Sequence, residues 1–284
     1  MNITENLQSL KLPKKLPINE VKASPFIKWA GGKQALLTQL KPHFPKKIDR
    51  YVEPFIGGGA VFFDLDHNQA TISDQNEWLI DTYMAIRDDW KSVAKVLDKL
   101  PNTKEEFLKV RALSPKSVDI SKRAAYFIYL NKTCFRGLFR VNQKGCFNVP
   151  YGAYDRRYYD PMNLAAVSEA LSNTTILLGD FEQSVIGVKD NDFVYFDPPY
   201  YKLGGYSDFN RYTSGQFREQ DQLRLASVCN ELTNRGVKWA LSNSDTPFIK
   251  SIYKSYRMEK VNARREINLK SQDRDVSELL ILNY

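Results

Sequence analysis

The sequence predicts an α/β fold that is interrupted by a mainly helical insertion carrying a β-hairpin. Near both ends of the chain, short segments rich in β-branched and aromatic residues alternate with helical segments. Between residues 77 and 165 this alternation stops, and apolar residues recur at helical spacing. The 284 residues suffice for one large domain with an insertion. We therefore predict a basic N-terminal arm (1–24), a core domain (25–76 and 166–284) and an inserted domain (77–165).

The core domain begins with a glycine turn before a short helix. Residues 26–33 read FIKWAGGK, and the apolar residues of 34–40 follow at helical spacing. A Gly-Gly-Lys sequence before a helix could bind an anion at the helix N-terminus, and a simple turn and cap is the alternative. The spacing is not that of a P-loop, which disfavours an ATP site.

A second glycine turn, Gly57-Gly58-Gly59, separates a predicted strand from a predicted buried helix. Glycines let a backbone approach a ligand closely. The dinucleotide pattern GxGxxG would require glycine where Phe62 stands, which disfavours NAD. The next predicted strand, residues 70–74, ends in Asp74, whose carboxylate suits the hydroxyls of a ribose. An N-cap for the helix that starts near Glu77 is the alternative role for Asp74.

The insertion ends in a predicted β-hairpin whose turn is Asn142-Gln143-Lys144-Gly145. Basic and aromatic side chains cluster around it: Lys132, Arg136, Arg140, Lys144, Arg156 and Arg157 with Phe135, Phe139, Tyr151 and Tyr154. This pattern favours nucleic acid, because cations bind phosphates or guanine edges and rings wedge into base stacks. A solvated hairpin with aromatic residues in the core is the alternative.

After the insertion, strands are predicted at residues 175–178, before Asp180 and Phe181, and at residues 193–196. The second strand must stop at Asp197-Pro198-Pro199-Tyr200, because proline cannot donate to a sheet ladder. The Asp197 carboxylate is therefore expected at the sheet edge where open α/β folds bind ligands. A loop containing Gly204 and Gly205 follows, and it could close over a substrate. A helix over 217–232 and strands over 237–241 and 276–283 complete the prediction.

Composition narrows the possible functions. The net charge of +8 favours a polyanionic partner. Three separated cysteines and two histidines without ligand spacing predict neither a disulfide framework nor a metal site. The sequence shows neither a membrane-spanning apolar run nor a signal peptide, so we expect a cytoplasmic protein without a membrane partner.

In this order, the motifs resemble the Dam family of DNA adenine-N6 methyltransferases (D12 class, alpha group). The matching stretches run from about Pro25 to the C-terminus: FIKWAGGK, YVEPFIGGGAVF, SDQN, YLNKTCFRGLFRVNQKGCFNVPYG, VYFDPPY, LSNSDT, RREI and VSELLILNY. The resemblance implies a Rossmann-like S-adenosylmethionine-dependent methyltransferase fold with an inserted target-recognition domain. It also implies S-adenosyl-L-methionine as cofactor, double-stranded DNA as partner, and a bacterial or phage-encoded enzyme. A cognate restriction endonuclease acting separately is compatible with it.

Carried over residue by residue, the resemblance implies three sets of site residues. The expected catalytic residues are Asp197, Pro198, Pro199 and Tyr200. The expected cofactor-binding residues are Trp29, Lys33, Phe55, Gly57, Gly59, Asp74, Asp180, Phe181 and Asp197. The expected DNA-binding residues are Lys28, Lys132, Phe135, Arg136, Leu138, Arg140, Asn142, Asn148 and Pro150.

The expected DNA contacts correspond to a GATC target. By resemblance, Lys28 and Arg140 each address a guanine, as bidentate major-groove geometry allows. Leu138 and Pro150 would touch a thymine methyl group, and Phe135 would either fill the gap left by the flipped base or wedge into the base stack. Phosphates would be held by Lys132, Asn142 and Asn148.

The chemistry of adenine explains why an Asp-Pro-Pro-Tyr sequence suits this reaction. The N6 lone pair is delocalised into the ring, so N6 is a poor nucleophile. Asp197 accepting one N6–H and the Pro198 carbonyl accepting the other would favour a tetrahedral nitrogen. Proline's fixed φ would hold that carbonyl in place. Tyr200 would stack on the base, which must be flipped out of the duplex.

The chain departs from the best-known family members at three positions. Phe135 stands where they carry Tyr, Arg136 where they carry Asn, and Ala153 where a basic residue is usual. These departures leave open a related site that shares a GAT core. Methylation of another exocyclic amine, in DNA or RNA, and a non-catalytic DNA-binding protein with the same fold are the alternative functions. Cytosine enzymes more often carry Ser at the position of Asp197.

Overall fold

A computed structural model describes residues 21–142, 145–201, 217–264 and 275–284, and its centre is a seven-stranded sheet. The strands are β1 (Tyr51–Glu53), β2 (Ala70–Asp74), β3 (Thr174–Leu178), β4 (Phe193–Phe196), β5 (Lys238–Ser244), β6 (Arg257–Arg264) and β7 (Asp275–Leu282). Their order across the sheet is β3-β2-β1-β4-β5-β7-β6. Strands β1 to β5 are parallel, whereas β7 is antiparallel to both β5 and β6.

Helices cover the sheet and form most of the insertion. They are α1 (Leu37–Leu40), α2 (Ala60–Leu65), α3 (Glu77–Leu97), α4 (Lys104–Ala112), α5 (Ile120–Thr133), α6 (Pro161–Leu171), α7 (Phe181–Ser184), α8 (Glu219–Asn234) and α9 (Pro247–Ile252). Short 3-10 turns lie at Gln34–Leu36, Lys41–His43, Pro115–Ser117 and Phe135–Gly137. No helix of the described ranges is long and apolar enough to cross a membrane.

The direction in which successive strands are added to the sheet reverses between β1 and β4. From β1 the chain continues to β2 and β3 on one side, and from β4 it continues to β5 on the other. Ligands bind at such a switch point, in the crevice outside the carboxyl ends of the strands. The register pairs Tyr51 with Phe193 and Val52 with Val194, so β1 and β4 end side by side. Both strands are fully buried; this explains the continuous apolar and aromatic sequence of β4, whereas β1 ends in the buried Glu53.

The predicted α/β fold is confirmed, and the differences lie at one edge of the sheet. Strands β2 and β4 have the predicted bounds, and β3, β5 and β7 begin or end a few residues away from theirs. Strand β6 and helix α9 were not predicted. Strand β6 carries Arg257, Glu259 and Lys260 on an edge of the sheet, where charged side chains prevent further pairing. Such a strand lacks the apolar alternation by which strands are recognised.

The inserted helices share one apolar cluster with the sheet. Trp78 and Phe127 belong to the same buried cluster as Ile72 of β2 and Tyr195 of β4. Helix α3 is interrupted at Asp89, whose φ of −156° and ψ of 69° are not helical. Because this core is continuous, packing alone marks no boundary at residues 77 and 165, and the division into domains stays a prediction.

The predicted hairpin is present as a short antiparallel ladder. Val141 pairs with Phe147, and the Asn142 amide donates to the Cys146 carbonyl at 2.9 Å. Phe139 is 6% exposed and belongs to the core, as the alternative interpretation held for the aromatic residues. Phe135, in contrast, is 46% exposed, so it does not lie in the core as that alternative expected. The hairpin therefore combines core aromatic residues with an exposed one.

Several sequence predictions lie outside the described residues. These are most of the N-terminal arm (1–20), Gln143 and Lys144 of the hairpin turn, the loop with Gly204 and Gly205, and the part of the RREI stretch from Arg265.

Candidate active site

The centre of the candidate site is an ion pair between the first glycine turn and the end of β4. The Lys33 ammonium lies 2.7 Å from Asp197 Oδ1, and Lys33 is 3% exposed. Lys33 also donates to the Gly31 carbonyl at 2.5 Å and lies 4.9 Å from the centre of the Tyr200 ring. Burial raises the pKa of Asp197 and the Lys33 ammonium lowers it; burial has the larger effect, and the resulting pKa is about 6. The pair thus keeps a largely buried carboxylate ionised at neutral pH.

Tyr200 is oriented by a residue that the site prediction did not include. Its hydroxyl donates to Glu278 Oε2 at 2.8 Å. Glu278 lies on β7, is 9% exposed, and also raises the pKa of Asp197. The VSELLILNY stretch contains Glu278, but the sequence predicted only a strand there. The Lys33 ammonium therefore lies over one face of the Tyr200 ring, and Glu278 of β7 fixes the position of the Tyr200 hydroxyl.

A second buried carboxylate lies close to this ion pair. Glu53, at the end of β1, is 2% exposed and accepts a hydrogen bond of 2.7 Å from the Tyr51 hydroxyl. Burial raises the pKa of Glu53 to about 8, and the charge of Asp197 adds to this rise, while Tyr51 and Lys33 oppose it. Glu53 is therefore largely protonated at neutral pH. No site role was predicted for Glu53, since its environment is created by strands β1 and β4 together.

Asp74 holds the glycine turn after β1. Its Oδ2 accepts from the Gly57 amide at 3.3 Å and its Oδ1 accepts from the Asn76 amide at 2.9 Å. Burial raises the pKa of Asp74 to about 6, and these amides oppose the rise. Asn76 caps α3 by accepting from the Leu79 amide, so the alternative role of Asp74 as N-cap is wrong.

The glycine turn leaves no room for side chains. Gly57 has a φ of +46°, and a Cβ there would lie 2.5 Å from Trp29 Cδ1. Gly59 has a φ of +72°, and its Cβ would lie 2.8 Å from the Phe63 ring and the Tyr83 hydroxyl. Only glycine fits such close approaches at positive φ. The predicted cofactor residues Trp29 and Gly57 are thus in direct contact.

Two further predicted cofactor residues form an aromatic surface beside the turn. The rings of Phe55 and Phe181 stack with centroids 5.5 Å apart. Asp180 caps α7 and accepts a 2.8 Å hydrogen bond from Gln75 Nε2. Asp180 also pairs with Arg224, whose guanidinium lies 4.6 Å from the Phe181 ring. Arg224 was not predicted, because only folding brings α8 to this position.

Lys28 and the hairpin form a second group of predicted site residues. Asn131 is fully buried and joins them: its Oδ1 accepts from the Lys28 amide at 2.8 Å, and its Nδ2 donates to the Lys28 and Gly137 carbonyls. Gly137 has a φ of +66°, and a Cβ there would lie 2.2 Å from Lys28 Cδ. The Lys28 side chain is therefore packed along the hairpin.

The predicted DNA-binding residues of the hairpin contact one another. Arg140 donates from Nε to Asn148 Oδ1 at 2.7 Å and from Nη2 to the Asn148 carbonyl at 3.1 Å. The guanidinium of Arg136 lies 5.3 Å from the exposed Phe135 ring. Burial lowers the pKa of Lys132, and the charges of Lys28 and Arg156 lower it further. Leu138 is half-buried and Pro150 is exposed.

Comparisons with known proteins identify what this arrangement resembles. Residues 29–267 match the family model described as D12 class N6 adenine-specific DNA methyltransferase. The type II methyltransferase M.MjaIII of Methanocaldococcus jannaschii is 42% identical over 93% of this chain and 100% of its own length. The type II methyltransferase M1.LlaDCHI of Lactococcus lactis subsp. cremoris is 39% identical over 94% of this chain and 97% of its own. The DNA adenine methylase of Escherichia coli K12 is 34% identical over 90% and 94%, respectively.

Proposed function

Since the chain belongs to the D12 class of N6 adenine-specific DNA methyltransferases, and is therefore an enzyme that methylates adenine N6 in DNA, we propose how its residues do so. Asp197, the Pro198 carbonyl and Tyr200 hold one flipped adenine, and S-adenosyl-L-methionine is the methyl donor. The observation that supports this most directly is the buried Lys33–Asp197 pair at 2.7 Å beside the Tyr200 ring, at the switch point of the sheet.

Hydrogen bonding at adenine N6 is the central chemical task in this proposal. Asp197 Oδ accepts one N6–H, the Pro198 carbonyl accepts the other, and the N6 lone pair is directed out of the ring plane. The acceptor must be ionised to be effective, and the neighbouring Lys33 ammonium favours that state. Tyr200 stacks on the flipped base, with its hydroxyl held by Glu278. Pro199 fixes the backbone between these groups. Positioning and preorganised polar groups then supply most of the rate enhancement.

The residues beside this clamp fit S-adenosyl-L-methionine. The turn at Gly57 and Gly59 follows β1 at the switch point of the sheet, and its backbone is packed directly against Trp29, Phe63 and Tyr83. Asp74, at the end of β2, suits the ribose hydroxyls, and the stacked rings of Phe55 and Phe181 suit the adenine of the cofactor. When bound, S-adenosyl-L-methionine supplies a methyl group on a cationic sulfur.

We also propose GATC in double-stranded DNA as the target. Lys28 and Arg140 would each bind a guanine, and Asn148 already holds the Arg140 guanidinium through two hydrogen bonds. Leu138 and Pro150 would contact a thymine methyl group. Phosphates would be bound by Lys132, Arg136, Asn142 and Asn148, and the exposed Phe135 ring would wedge into the stack.

The proposed substrate, DNA, also indicates the cellular compartment in which the reaction would take place. An enzyme that modifies cellular or phage DNA would act in the cytoplasm of its host. The names of two relatives support the further proposal that a separate restriction endonuclease shares the target site.

Methyl transfer to defined duplexes tests the proposal. Tritiated S-adenosyl-L-methionine is incubated with the protein and a GATC duplex, or with a duplex of the same composition that lacks GATC. We expect incorporation into the first duplex alone, as N6-methyladenine after digestion to nucleosides, and loss of incorporation in Asp197→Ala. Equal incorporation into both duplexes would refute the GATC target, and full activity of Asp197→Ala would refute the clamp.

A further inference from the structure

Two buried amide side chains hold the backbone on both sides of Tyr200. Gln222, on α8, donates from Nε2 to the Pro199 carbonyl at 2.9 Å. Asn243, on β5, accepts from the Tyr201 amide through Oδ1 at 3.2 Å. The two side chains are joined, since Asn243 Nδ2 donates to Gln222 Oε1 at 3.0 Å. Both residues are 0% exposed.

The direction of this chain of hydrogen bonds is fixed by its ends. The Pro199 carbonyl can only accept, so Gln222 must present its NH₂ group there. The Tyr201 amide can only donate, so Asn243 must present its oxygen. The two remaining groups, Gln222 Oε1 and Asn243 Nδ2, then face each other with matching polarity. Neither amide can be turned over without creating buried, mismatched polar groups, which are costly.

These contacts define the conformation of Tyr200. The Pro199 carbonyl belongs to the peptide unit before Tyr200, and the Tyr201 amide belongs to the peptide unit after it. Ser244 strengthens the second contact, because its hydroxyl donates to the Tyr201 carbonyl at 2.6 Å. With the Tyr200 hydroxyl bound to Glu278, both flanking peptide units and the ring are held.

We propose that Gln222 and Asn243 are positioning residues for methyl transfer, which set the Tyr200 ring and the Pro198 carbonyl at the correct distance from Asp197. This inference rests on the proposed function, in which the Asp197–Tyr200 turn holds the adenine. Neither amide touches the base or the cofactor in this scheme. Both act by removing freedom from the turn that follows β4, since Gln222 holds the Pro199 carbonyl and Asn243 holds the Tyr201 amide.

The first test replaces Gln222 with methionine, which has a similar volume and can bond to neither partner. The matched control is Gln220→Met, because Gln220 is exposed on the same helix. A displacement of about 1 Å at a reacting group costs on the order of 100-fold in rate. We expect kcat to fall about 10- to 100-fold in Gln222→Met, while the KM for S-adenosyl-L-methionine stays within about 2-fold of the control.

The second test uses a pH profile that a purely structural role would not produce. Gln222→Glu keeps an oxygen that accepts from Asn243, but an ionised carboxylate cannot donate to the Pro199 carbonyl. Protonation restores that donor. The ratio of variant to wild-type activity should therefore rise as the pH falls. The added carboxylate would raise the pKa of Asp197 and so lower this ratio as the pH falls, which means that a rise in the ratio reports the restored donor.

Three results decide the inference. A kcat of Gln222→Met within about 3-fold of the control would overturn it, and so would a loss of cofactor affinity that matches the loss in kcat. A pH-independent activity ratio for Gln222→Glu would also overturn it, and this readout remains if the methionine variant fails to fold. Asp197→Ala is measured in parallel: if it stays active, the proposed clamp has failed, whereas an inactive Asp197→Ala with unaffected Gln222 variants refutes only the positioning role.

Discussion

Removing the charge of Lys33 should change the pH at which the enzyme works. Lys33→Met keeps a straight side chain and deletes the ammonium that lies 2.7 Å from Asp197 Oδ1. With Lys33 present, the pKa of Asp197 is about 6. An adjacent cation lowers the pKa of a carboxyl group by about 1–3, so we expect the pKa of Asp197 in the variant to rise to between about 7 and about 9.

The size of the effect follows from the ionised fraction of Asp197. At pH 7.5 this fraction is about 97% for a pKa of 6, about 76% for a pKa of 7 and about 3% for a pKa of 9. If only the ionised form accepts N6–H, the rate at pH 7.5 falls between about 1.3-fold for a pKa of 7 and about 30-fold for a pKa of 9. The loss should shrink to about 1.3-fold or less at pH 9.5, because Asp197 is then mostly ionised in both proteins.

Single-turnover methyl transfer between pH 6 and pH 9.5 measures this shift. Cofactor and DNA are kept saturating, since Lys33 is also an expected cofactor contact. The control is Lys41→Met, because Lys41 pairs with Asp64 at 2.8 Å and is 47% exposed, away from Asp197. If the acidic limb of the Lys33→Met profile coincides with that of the control while activity is lost equally at every pH, the ion-pair reasoning is wrong.

Three further predictions test neighbouring groups. Tyr200→Phe keeps the stacking ring but removes the hydroxyl that donates to Glu278 at 2.8 Å, so kcat should fall about 10-fold. Tyr200→Ala also removes the ring, so its kcat in the same assay should be lower by at least about another 10-fold. Glu53 has a pKa of about 8 in the folded protein, against an ordinary value of 4.5. Between these two pH values the native state keeps a proton that the unfolded chain has released. The free energy of unfolding therefore falls as the pH rises from about 4.5 to about 8. Glu53→Gln should therefore raise Tm relative to wild type by more at pH 8.5 than at pH 5, and an equal difference at both pH values would contradict this. Arg140→Lys loses the planar pair of donors that can bind guanine with two hydrogen bonds. The preference for guanine over other bases at one position, measured as kcat/KM on duplexes with single substitutions, should therefore fall about 10- to 100-fold. Substitutions elsewhere in the site should have nearly the same effect as with the wild-type enzyme.

Local sequence signals were sufficient for the residues that end strands. Proline after Asp197 and glycines after β1 restrict the backbone by their own chemistry, so the ends of β4 and β1 could be predicted without knowledge of their neighbours. The same holds for Asp74, which ends a β-branched apolar strand. These ends meet at one edge because parallel strands with adjacent positions in a sheet present their carboxyl ends together.

The supporting residues could not be predicted, because long-range contacts create their roles. Glu278 reaches Tyr200 from 78 positions later in the chain, and Asn243 reaches Tyr201 across 42 positions. In the sequence, Gln222 is a polar residue near the start of an amphipathic helix, where exposure is the usual outcome. Its burial depends on the polar carbonyl of Pro199, which only the folded chain brings to α8.

In the proposed complex, the segment from Lys28 to Lys33 sets the separation between base recognition and catalysis. Lys28 is tied to α5 and the hairpin through Asn131, and Lys33 is tied to Asp197. Between them, Trp29 stacks on Phe139 of the hairpin with ring centroids 5.6 Å apart. Five residues span at most about 17 Å when fully extended, which corresponds to about five base-pair steps of 3.4 Å. A guanine bound by Lys28 must therefore lie within a few base pairs of the methylated adenine. In the proposed GATC target both guanines lie within two base-pair steps of the methylated adenine, so the short segment suffices and leaves length for the flipped base to reach Asp197.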